Sequence, residues 1–449
     1  MPVALPFAAW QTMTPATAAR EVHARVAGLP DALRSAALAW LTPEHELCRE
    51  LEAADRGSTD TTVSKCEEQE RVPSLRGVPY FLKDLFDVAG IPTRAGSTFL
   101  DRVRSTPGDS TWVRRLREWG AAFAGKTQLV EFASGLTGEN PHYGDCPQPR
   151  FPQRLSGGSS SGSAALVAAG VVPLAIGTDT GGSVRVPAAW CGLYGFRLTP
   201  GDELIRDAFP LAPTLDTAGW FTANAEDMRT AWQAIVRRPR ETPRQGAASE
   251  PLGSRRALRG CYLTASCLLP SIDPVLDASC ELAAAQIAER ADLATQASFL
   301  SSWQEAVDAY LTIGMSEAFA VHRDWLAPYA EHYDPMIWKR FTDAEHLPAA
   351  KIVSARASLE QVRRTWTQFF ESYDFLVLPS VPTPAPTKAE CTPELRRRLL
   401  TLTAPASLGG LPCLSTPVTL PSGLSAGLQV IASRPSSSVF GWVLSNLAQ

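Results

Sequence analysis

Three short segments of the sequence combine residue types that can carry out nucleophilic chemistry, and the first of them contains a lysine. Lys83 directly follows the apolar run 78–82, which is typical of a buried β-strand. A buried ammonium group is costly, because its charge loses the hydration that water provides. A strand-end lysine can extend its long side chain to solvent. It can also stay buried with a lowered pKa and accept a proton at neutral pH, and both interpretations stay open for Lys83.

The second segment, residues 156–163, reads SGGSSSGS and is called the serine loop below. A flexible linker is disfavoured, because a helix candidate of small residues follows at 162–170. A phosphate-binding loop is disfavoured too, because the Lys-Ser/Thr ending of that motif is missing. Residues 158–162 formally fit the G-x-S-x-G elbow of α/β-hydrolases, but that elbow needs an apolar strand before it, and 150–155 is not apolar.

The third segment, residues 177–187, reads GTDTGGSVRVP and is called the Ser183 turn below. Two glycines before Ser183 allow the backbone to turn sharply and to point consecutive N–H groups into one space, as an oxyanion hole requires. An ordinary glycine-rich turn after a strand has the same composition. Serine needs a base to act as a nucleophile. The three segments contain no histidine, so Lys83 is the available base.

Together, these segments resemble the amidase signature family, whose members use a Ser–cis-Ser–Lys arrangement. The family motifs G-G-S-S-[GS]-G and G-T-D-x-G-G-S-x-R-x-P are both present without a gap. They place Ser159 and Ser183 24 residues apart, and Lys83 lies 76 residues before Ser159. The likeness covers residues 75–221 and 374–435, which is roughly half of the chain.

Further segments refine the resemblance. Residues 125–133 match the family pattern G-K-T/N-x-x-x-E-F-A. Residues 138–144 and 211–221 are similar to the branch that contains the indole-3-acetamide hydrolases. One stretch departs from the family, whose members usually carry Asn shortly before the late Gly-Leu-Pro. Here residues 406–409 read Ala-Ser-Leu-Gly, and we expect an effect on local packing.

The resemblance implies a mechanism for this chain. Ser183 would attack a carboxamide carbon, and Ser159, held by a cis peptide after Gly158, would relay the proton to neutral Lys83. The backbone N–H groups of four residues would form the oxyanion hole: Thr180, Gly181, Gly182 and Ser183. Three side chains would support the site rather than react: Ser160, Asp179 and Arg185. No cofactor is implied.

The composition excludes several classes of protein. The 449 residues carry 42 Lys and Arg against 46 Asp and Glu, which offers no basic surface for nucleic acid or an anionic membrane. The most apolar run, 164–176, is too short and too broken by Gly and Pro to span a bilayer. The first residues do not resemble a signal peptide. Nine scattered cysteines and six histidines show no metal-site spacing and predict free thiols in a cytoplasmic protein.

The elements that position these segments alternate between helices and strands, which predicts an α/β fold. We expect a single amidase domain, with a mixed, largely parallel twisted sheet covered by helices on both faces. Helix candidates are residues 17–26, 31–40, 111–119 and 162–170. Strand candidates are residues 78–82, 121–124, 171–176, 375–378, 414–420 and 428–431.

The expected organisation follows the chain in order. The predicted regions are N-terminal helices in 1–70 with a polar surface connection at 55–69, a catalytic core at 75–221, an exposed loop at 237–256, a helical cap over the pocket mouth at 272–372, and returning strands at 373–449.

The resemblance implies an amidohydrolase that cleaves the carboxamide C–N bond of a small molecule, without nucleic acid or membrane partners. A homodimer is one of the arrangements that the sequence allows. Two alternatives stay open: an amidase-like binding module without catalysis, and the amidase component of a tRNA-dependent amidotransferase. A binding module without catalysis would lack at least one of the three residues Lys83, Ser159 and Ser183, and all three are present here. The second would require partner subunits.

Overall fold

The computed structural model describes residues 3–56, 74–236 and 257–447. In these ranges the strands are β1 Leu38–Leu41, β2 Pro79–Lys83, β3 Ala122–Thr127, β4 Pro147–Gln148, β5 Phe151–Leu155, β6 Leu174–Thr178, β7 Tyr194–Arg197, β8 Ala218–Thr222, β9 Gly260–Tyr262, β10 Glu289–Arg290, β11 Phe375–Pro379, β12 Cys413–Thr419 and β13 Ser425–Ala432. The helices are α1 Phe7–Gln11, α2 Pro15–Ala27, α3 Asp31–Ala37, α4 Glu44–Arg56, α5 Leu100–Val103, α6 Thr111–Glu118, α7 Ser161–Ala168, α8 Arg185–Cys191, α9 Ala225–Val236, α10 Pro274–Ala284, α11 Leu293–Trp303, α12 Ala306–Leu326, α13 Pro335–Asp343, α14 Ala349–Ser372, α15 Pro393–Leu408 and α16 Ser438–Asn446.

Eleven of these strands form one sheet, in the order β1-β3-β2-β6-β8-β7-β12-β13-β11-β9-β10. The order interleaves strands from both ends of the chain, and the mixed sheet that the sequence predicts is confirmed. Its parallel share is smaller than expected: four of the ten pairings are parallel, in the groups β3-β2-β6 and β11-β9-β10. The central strands pair antiparallel, and only a short turn separates β12 from β13, a connection that parallel strands do not permit.

Strand β2 is buried along its whole length, which explains its continuous apolar run. Its side chains alternate between two apolar clusters, because successive residues of a strand point to opposite faces. Tyr80 and Leu82 belong to one cluster. Phe81 belongs to the other, together with Ala164 and Ala165 of helix α7. Lys83 lies two residues after Phe81, so its side chain points to the same face of the sheet, which α7 covers.

Most predicted elements are present, with two shifts of boundary near the site. Helix α3 ends at Ala37, because residues 38–41 instead pair with β3 as strand β1, antiparallel, with Trp40 opposite Lys126. Hydrogen bonds to a strand distant in sequence outweigh the local helical pattern there. Strand β6 begins at Leu174 and runs to Thr178, two residues beyond the predicted end.

The late region is helical as predicted, with α10 to α14 interrupted by the short strand β10. That this region caps a pocket stays a prediction. The predicted exposed loop at 237–256 lies outside the described residues, as does the surface connection at 55–69 apart from its first two residues, which end α4. In the described part of the chain, no helix has the length and apolar character needed to cross a membrane.

Candidate active site

Lys83 ends strand β2, and its amine is surrounded by three hydroxyl groups. The Nζ atom lies 2.8 Å from Oγ of Ser159, 3.0 Å from Oγ of Ser160 and 2.7 Å from Oγ1 of Thr178. Thr178 ends β6, which runs parallel to β2, so the carboxyl ends of both strands meet at one edge of the sheet. The serine loop reaches the same place because it leads into helix α7 on this face.

The side chain of Lys83 is fully buried, which excludes the solvent-reaching interpretation. Burial lowers the pKa of Lys83 to about 7, although the negative charges of Asp216 and Asp179 oppose the shift. An amine with so low a pKa can lose its proton near neutral pH, and the neutral form has a lone pair that can accept a proton.

Ser159 and Ser160 differ in what their hydroxyl protons do. Ser160 Oγ donates to the backbone carbonyl of Thr178 at 3.0 Å and accepts from the N–H of the same residue at 3.2 Å. Its proton is therefore directed away from Lys83. Among the described residues, Ser159 Oγ has Lys83 Nζ as its one hydrogen-bond partner. The arrangement favours Ser159 over Ser160 for proton exchange with the amine.

The serine loop is held by close packing around Gly158. A cis peptide bond joins Gly158 to Ser159, as the resemblance implies. The Gly158 N–H donates to the carbonyl of Leu136 at 2.8 Å, and the Ser159 carbonyl accepts from the Val130 N–H at 3.2 Å. A Cβ atom on Gly158 would lie 2.7 Å from Cγ2 of Val130, so a larger residue does not fit there.

The Ser183 turn connects β6 to α8 and contacts the serine loop. The Ser183 carbonyl accepts from the Ser160 N–H at 3.3 Å, and Ser183 is buried. Gly181 leaves no room for a side chain, because a Cβ atom there would collide with Oη of Tyr310 on α12. Gly182 has a φ of +129°, a conformation that residues with a side chain rarely adopt.

Asp179 holds the Ser183 turn through its carboxylate. That group accepts from the N–H groups of Gly182 at 2.7 Å and Val184 at 3.1 Å. The buried guanidinium groups of Arg185 and Arg197 each approach it to 2.9 Å. Burial alone would raise the pKa of Asp179, but these two cations hold it well below the usual range of a carboxyl group. Asp179 and Arg185 thus lie behind the turn, and the supporting role predicted for both stays a prediction.

One of the four predicted oxyanion donors already forms a hydrogen bond within the turn, and the oxyanion hole itself stays a prediction. The Gly182 N–H donates to the Asp179 carboxylate, so it is committed to holding the turn. The N–H groups of Thr180, Gly181 and Ser183 donate to no acceptor in the described residues. The spacing of the motif shows four consecutive amides, and only the folded turn reveals which of them is already engaged.

The departure at 406–409 lies in the same network. Ser407 Oγ on α15 accepts from Arg185 at 2.8 Å and from Arg197 at 3.1 Å, and it donates to the Thr403 carbonyl at 3.2 Å. One further nitrogen of Arg197, Nη2, is buried without a hydrogen-bond partner in the described residues. The expected effect on local packing therefore falls on the arginines that hold Asp179.

Sequence reasoning missed four residues that contact the site: Thr178, Arg197, Tyr310 and Asp216. Thr178 is visible in the family motif as the residue after the first glycine. Asp216 accepts from Thr180 Oγ1 at 2.6 Å and from the Leu211 N–H at 2.9 Å, and burial raises its pKa to about 6. Nothing in the local sequence around Arg197 or Tyr310 indicates a place beside the Ser183 turn.

Lys126 shows what a structural buried lysine looks like in this fold. It is buried at the end of β3, forms an ion pair with Asp84 and donates to Thr93 Oγ1 at 3.0 Å. Among the described residues, Lys83 has no such carboxylate in contact. In the described part of the chain, no cluster of three or more His, Cys, Asp or Glu residues is able to hold a metal ion.

Comparison with known proteins identifies relatives whose names describe hydrolases or an amidotransferase. A 1-carboxybiuret hydrolase subunit from Pseudomonas sp. (strain ADP) is 32% identical over 425 residues, covering 87% of this chain and 88% of that protein. A glutamyl-tRNA(Gln) amidotransferase subunit from Symbiobacterium thermophilum is 33% identical over 80% of this chain and 79% of its own length. An indoleacetamide hydrolase from Pseudomonas syringae pv. syringae is 40% identical over 171 residues, which is 38% of each chain.

A solved structure shares the fold over nearly the whole chain. It is the structure of a vestigial protein complex that reveals the evolutionary origins of an s-triazine catabolic enzyme. The match has a TM-score of 0.82 at 26% identity and covers 97% of this chain and 94% of that one. The model of the family described as Amidase matches residues 51–437, a range that includes the three segments with Lys83, Ser159 and Ser183. The chain therefore belongs to the Amidase family and is an amidase.

Proposed function

We propose that this amidase hydrolyses the carboxamide of a small molecule through an acyl-enzyme on Ser183, with Ser159 as proton relay and Lys83 as base. The observation that carries the proposal is the distance of 2.8 Å between Nζ of Lys83 and Oγ of Ser159 in a fully buried site. The lowered pKa of Lys83 supplies a neutral amine at physiological pH.

In the proposed reaction, Ser183 Oγ forms a bond to the amide carbon while its proton passes to Ser159, whose own proton passes to Lys83. The three uncommitted N–H groups of the turn, those of Thr180, Gly181 and Ser183, stabilise the oxyanion. The proton returns through Ser159 to the leaving nitrogen as the C–N bond breaks. Water then attacks the ester by the reverse route, which releases a carboxylic acid and regenerates Ser183.

A second candidate function is the amidase component of a tRNA-dependent amidotransferase. It is supported by the 33% identity to the glutamyl-tRNA(Gln) amidotransferase subunit, which extends over most of both chains. The acidic charge balance of this chain disfavours direct binding of nucleic acid. The two functions differ in their requirements, because only the amidotransferase needs partner subunits and charged tRNA for its product.

The proposal is tested by covalent labelling and a screen of amides. A fluorophosphonate probe should label the purified protein at Ser183, and Ser183→Ala should abolish both labelling and hydrolysis while the fold is kept. Ser161→Ala is the matched control, because it removes a neighbouring hydroxyl that does not contact Lys83. Turnover retained by Ser183→Ala would reject the assignment. Hydrolysis that appears only with a co-purified partner and charged tRNA would establish the amidotransferase function instead.

A further inference from the structure

A cavity of about 180 Å³ lies beside the serine loop. Part of its lining comes from the segment 130–136, which contacts the loop directly through the hydrogen bonds of Val130 to Ser159 and of Gly158 to Leu136. Another part is formed by helix α13 and the first turn of α15. The cavity therefore lies where the catalytic core meets the helices contributed by the later part of the chain.

Two arginines line this cavity without a carboxylate partner. Arg340 on α13 donates to the backbone carbonyl of Ser134 at 2.9 Å. Arg396 on α15 has a buried Nε atom without a hydrogen-bond partner among the described residues. Among the described residues, no carboxylate forms an ion pair with the guanidinium group of Arg340 or of Arg396. Both side chains are partly buried, and a charge without a partner is costly away from water, so two of them in one cavity require an explanation.

The acidic residues of the lining form their closest contacts with other groups. Glu139 and Asp145 both bind Nζ of Lys388, at 2.6 and 2.9 Å. The carboxylate of Asp334 accepts from the Met336 N–H at 2.7 Å and so caps the start of α13. The negative charges of Asp334 and Glu139 act on Arg340 from a distance, but in the described residues neither carboxylate forms an ion pair with Arg340 or Arg396. Both guanidinium groups can therefore contact an anion.

The electrostatics of Arg396 support the same conclusion. Burial and repulsion from Arg340 lower the pKa of Arg396 to about 10, which is unusual for a guanidinium. Tyr310 lies within electrostatic reach of Arg396, and its hydroxyl packs against Gly181 of the Ser183 turn. One side chain, Tyr310, thus neighbours the Ser183 turn and also acts electrostatically on Arg396.

We propose that the amide substrate carries a carboxylate, and that Arg340 and Arg396 bind this carboxylate while the carboxamide lies at Ser183. The planar guanidinium group matches the two oxygens of a carboxylate. The cavity is small compared with the pockets of drug-sized ligands, so the part of the substrate that it holds is small. A monoamide of a short dicarboxylic acid has this chemistry. The inference rests on the proposed amidase function and adds the charge of the substrate.

The test compares succinamate with uncharged primary amides of matched length. We expect the wild-type protein to hydrolyse succinamate with a kcat/KM at least ~10-fold higher. Arg340→Met and Arg396→Met should each raise the KM for succinamate by about 10- to 100-fold, because charged hydrogen bonds are lost. Their kcat/KM for the uncharged amides should change by less than about 3-fold. Arg396→Lys keeps the charge but loses the two-pronged geometry, and its KM should lie in between.

Arg397→Met is the matched control. Arg397 is the next residue of α15, but it is half exposed and pairs with Asp308 at the surface, so both amides should be hydrolysed as by the wild type. A second readout uses succinate, which should inhibit competitively and raise the melting temperature of the wild type. The double variant Arg340→Met/Arg396→Met should lose this response, and dimethyl succinate should give none with either protein.

The outcomes separate this inference from the function on which it rests. Equal kcat/KM values for charged and uncharged amides, or an unchanged response to succinate in the double variant, would overturn the carboxylate site. In that case labelling of Ser183 by the fluorophosphonate would still support the amidase mechanism. Absence of labelling together with intact succinate binding would reject the mechanism and keep the carboxylate site.

Discussion

Arg185 donates a hydrogen bond of 2.8 Å to Ser407, a residue 222 positions later in the chain. Arg185 also binds Asp179, which in turn accepts from three N–H groups of the Ser183 turn. Helix α15 therefore supports the geometry of the turn through Ser407, at a distance from the reacting groups. The network is fully buried, so each missing partner has a large effect on stability.

Ser407→Ala should lower the free energy of unfolding by about 1–3 kcal/mol, because Arg185 and Arg197 lose a buried acceptor. Activity should fall mainly in kcat, as the Ser183 turn loses support. Ser407→Asn retains an acceptor for the two arginines, so its loss should be smaller. Urea unfolding and steady-state kinetics measure both effects, with the exposed Ser354→Ala on α14 as the control. Equal losses in the Ala and Asn variants would contradict the explanation.

Asp179→Asn should destabilise the protein by about 3–5 kcal/mol, because two buried guanidinium groups lose their counter-charge. The control is Asp343→Asn, which breaks the exposed ion pair with Lys339 and should cost less than about 1 kcal/mol. Chemical denaturation of both variants measures the difference. Similar costs for the two substitutions would show that Asp179 does not hold the turn.

The kcat/KM of the wild-type protein should rise with pH through a single ionisation near pH 7. Only the neutral amine of Lys83 accepts a proton, and burial lowers its pKa to about 7, so the rise occurs far below the ordinary range of a lysine. Lys83→Ala should remove the rise and lower the rate by about 10²- to 10⁴-fold. Profiles of kcat/KM against pH test this directly, and an unaltered profile in Lys83→Ala would reject Lys83 as the base.

The control for that profile is the other buried lysine. Lys126→Ala alone would leave Asp84 buried without its partner and lower the free energy of unfolding by about 3–5 kcal/mol. A loss of activity in that variant could then come from unfolding rather than from the reaction. Lys126→Met combined with Asp84→Asn removes both charges together. This double variant should keep the midpoint of the wild-type profile.

Asp216→Asn should move that midpoint to lower pH. The carboxylate of Asp216 favours the charged form of Lys83, so its removal lowers the pKa of the amine further. Asn keeps an oxygen for the Thr180 hydroxyl, which preserves the contact with the turn. A pH profile that stays in place or moves to higher pH would contradict the electrostatic coupling.

Gly181→Ala should reduce kcat/KM by about 10²-fold or more, because the new Cβ atom meets Tyr310 and displaces an oxyanion donor. Tyr310→Leu in the same chain should recover part of the loss, and a double-mutant cycle measures this coupling. Gly314→Ala lies one turn further along α12, where a Cβ atom meets nothing within 4 Å, and should leave activity unchanged. If the effects of the two substitutions on the activation free energy are strictly additive, Gly181 and Tyr310 are not in contact.

The sequence by itself determined the family, the order of the elements around the site and the three segments that carry Lys83, Ser159 and Ser183. These features are local: a buried strand requires a continuous apolar run, and a tight turn requires glycines at particular positions. The burial of Lys83 is not among these features, because a lysine at the end of a strand can also reach solvent, and only the folded structure closes that route. The predicted boundary of α3 was wrong, since the partner of strand β1 lies more than 80 residues away.

Only the tertiary structure decided which groups complete the site. The motif shows four consecutive backbone N–H groups, but in the folded turn the N–H of Gly182 donates to the Asp179 carboxylate. The other three donate to no acceptor in the described residues. Ser160 and Ser159 are neighbours in sequence, yet the position of the Thr178 carbonyl distinguishes their protons. Contacts such as that of Arg185 with Ser407 join residues far apart in the chain. No local pattern encodes them, because they depend on how the completed sheet brings α8 and α15 together.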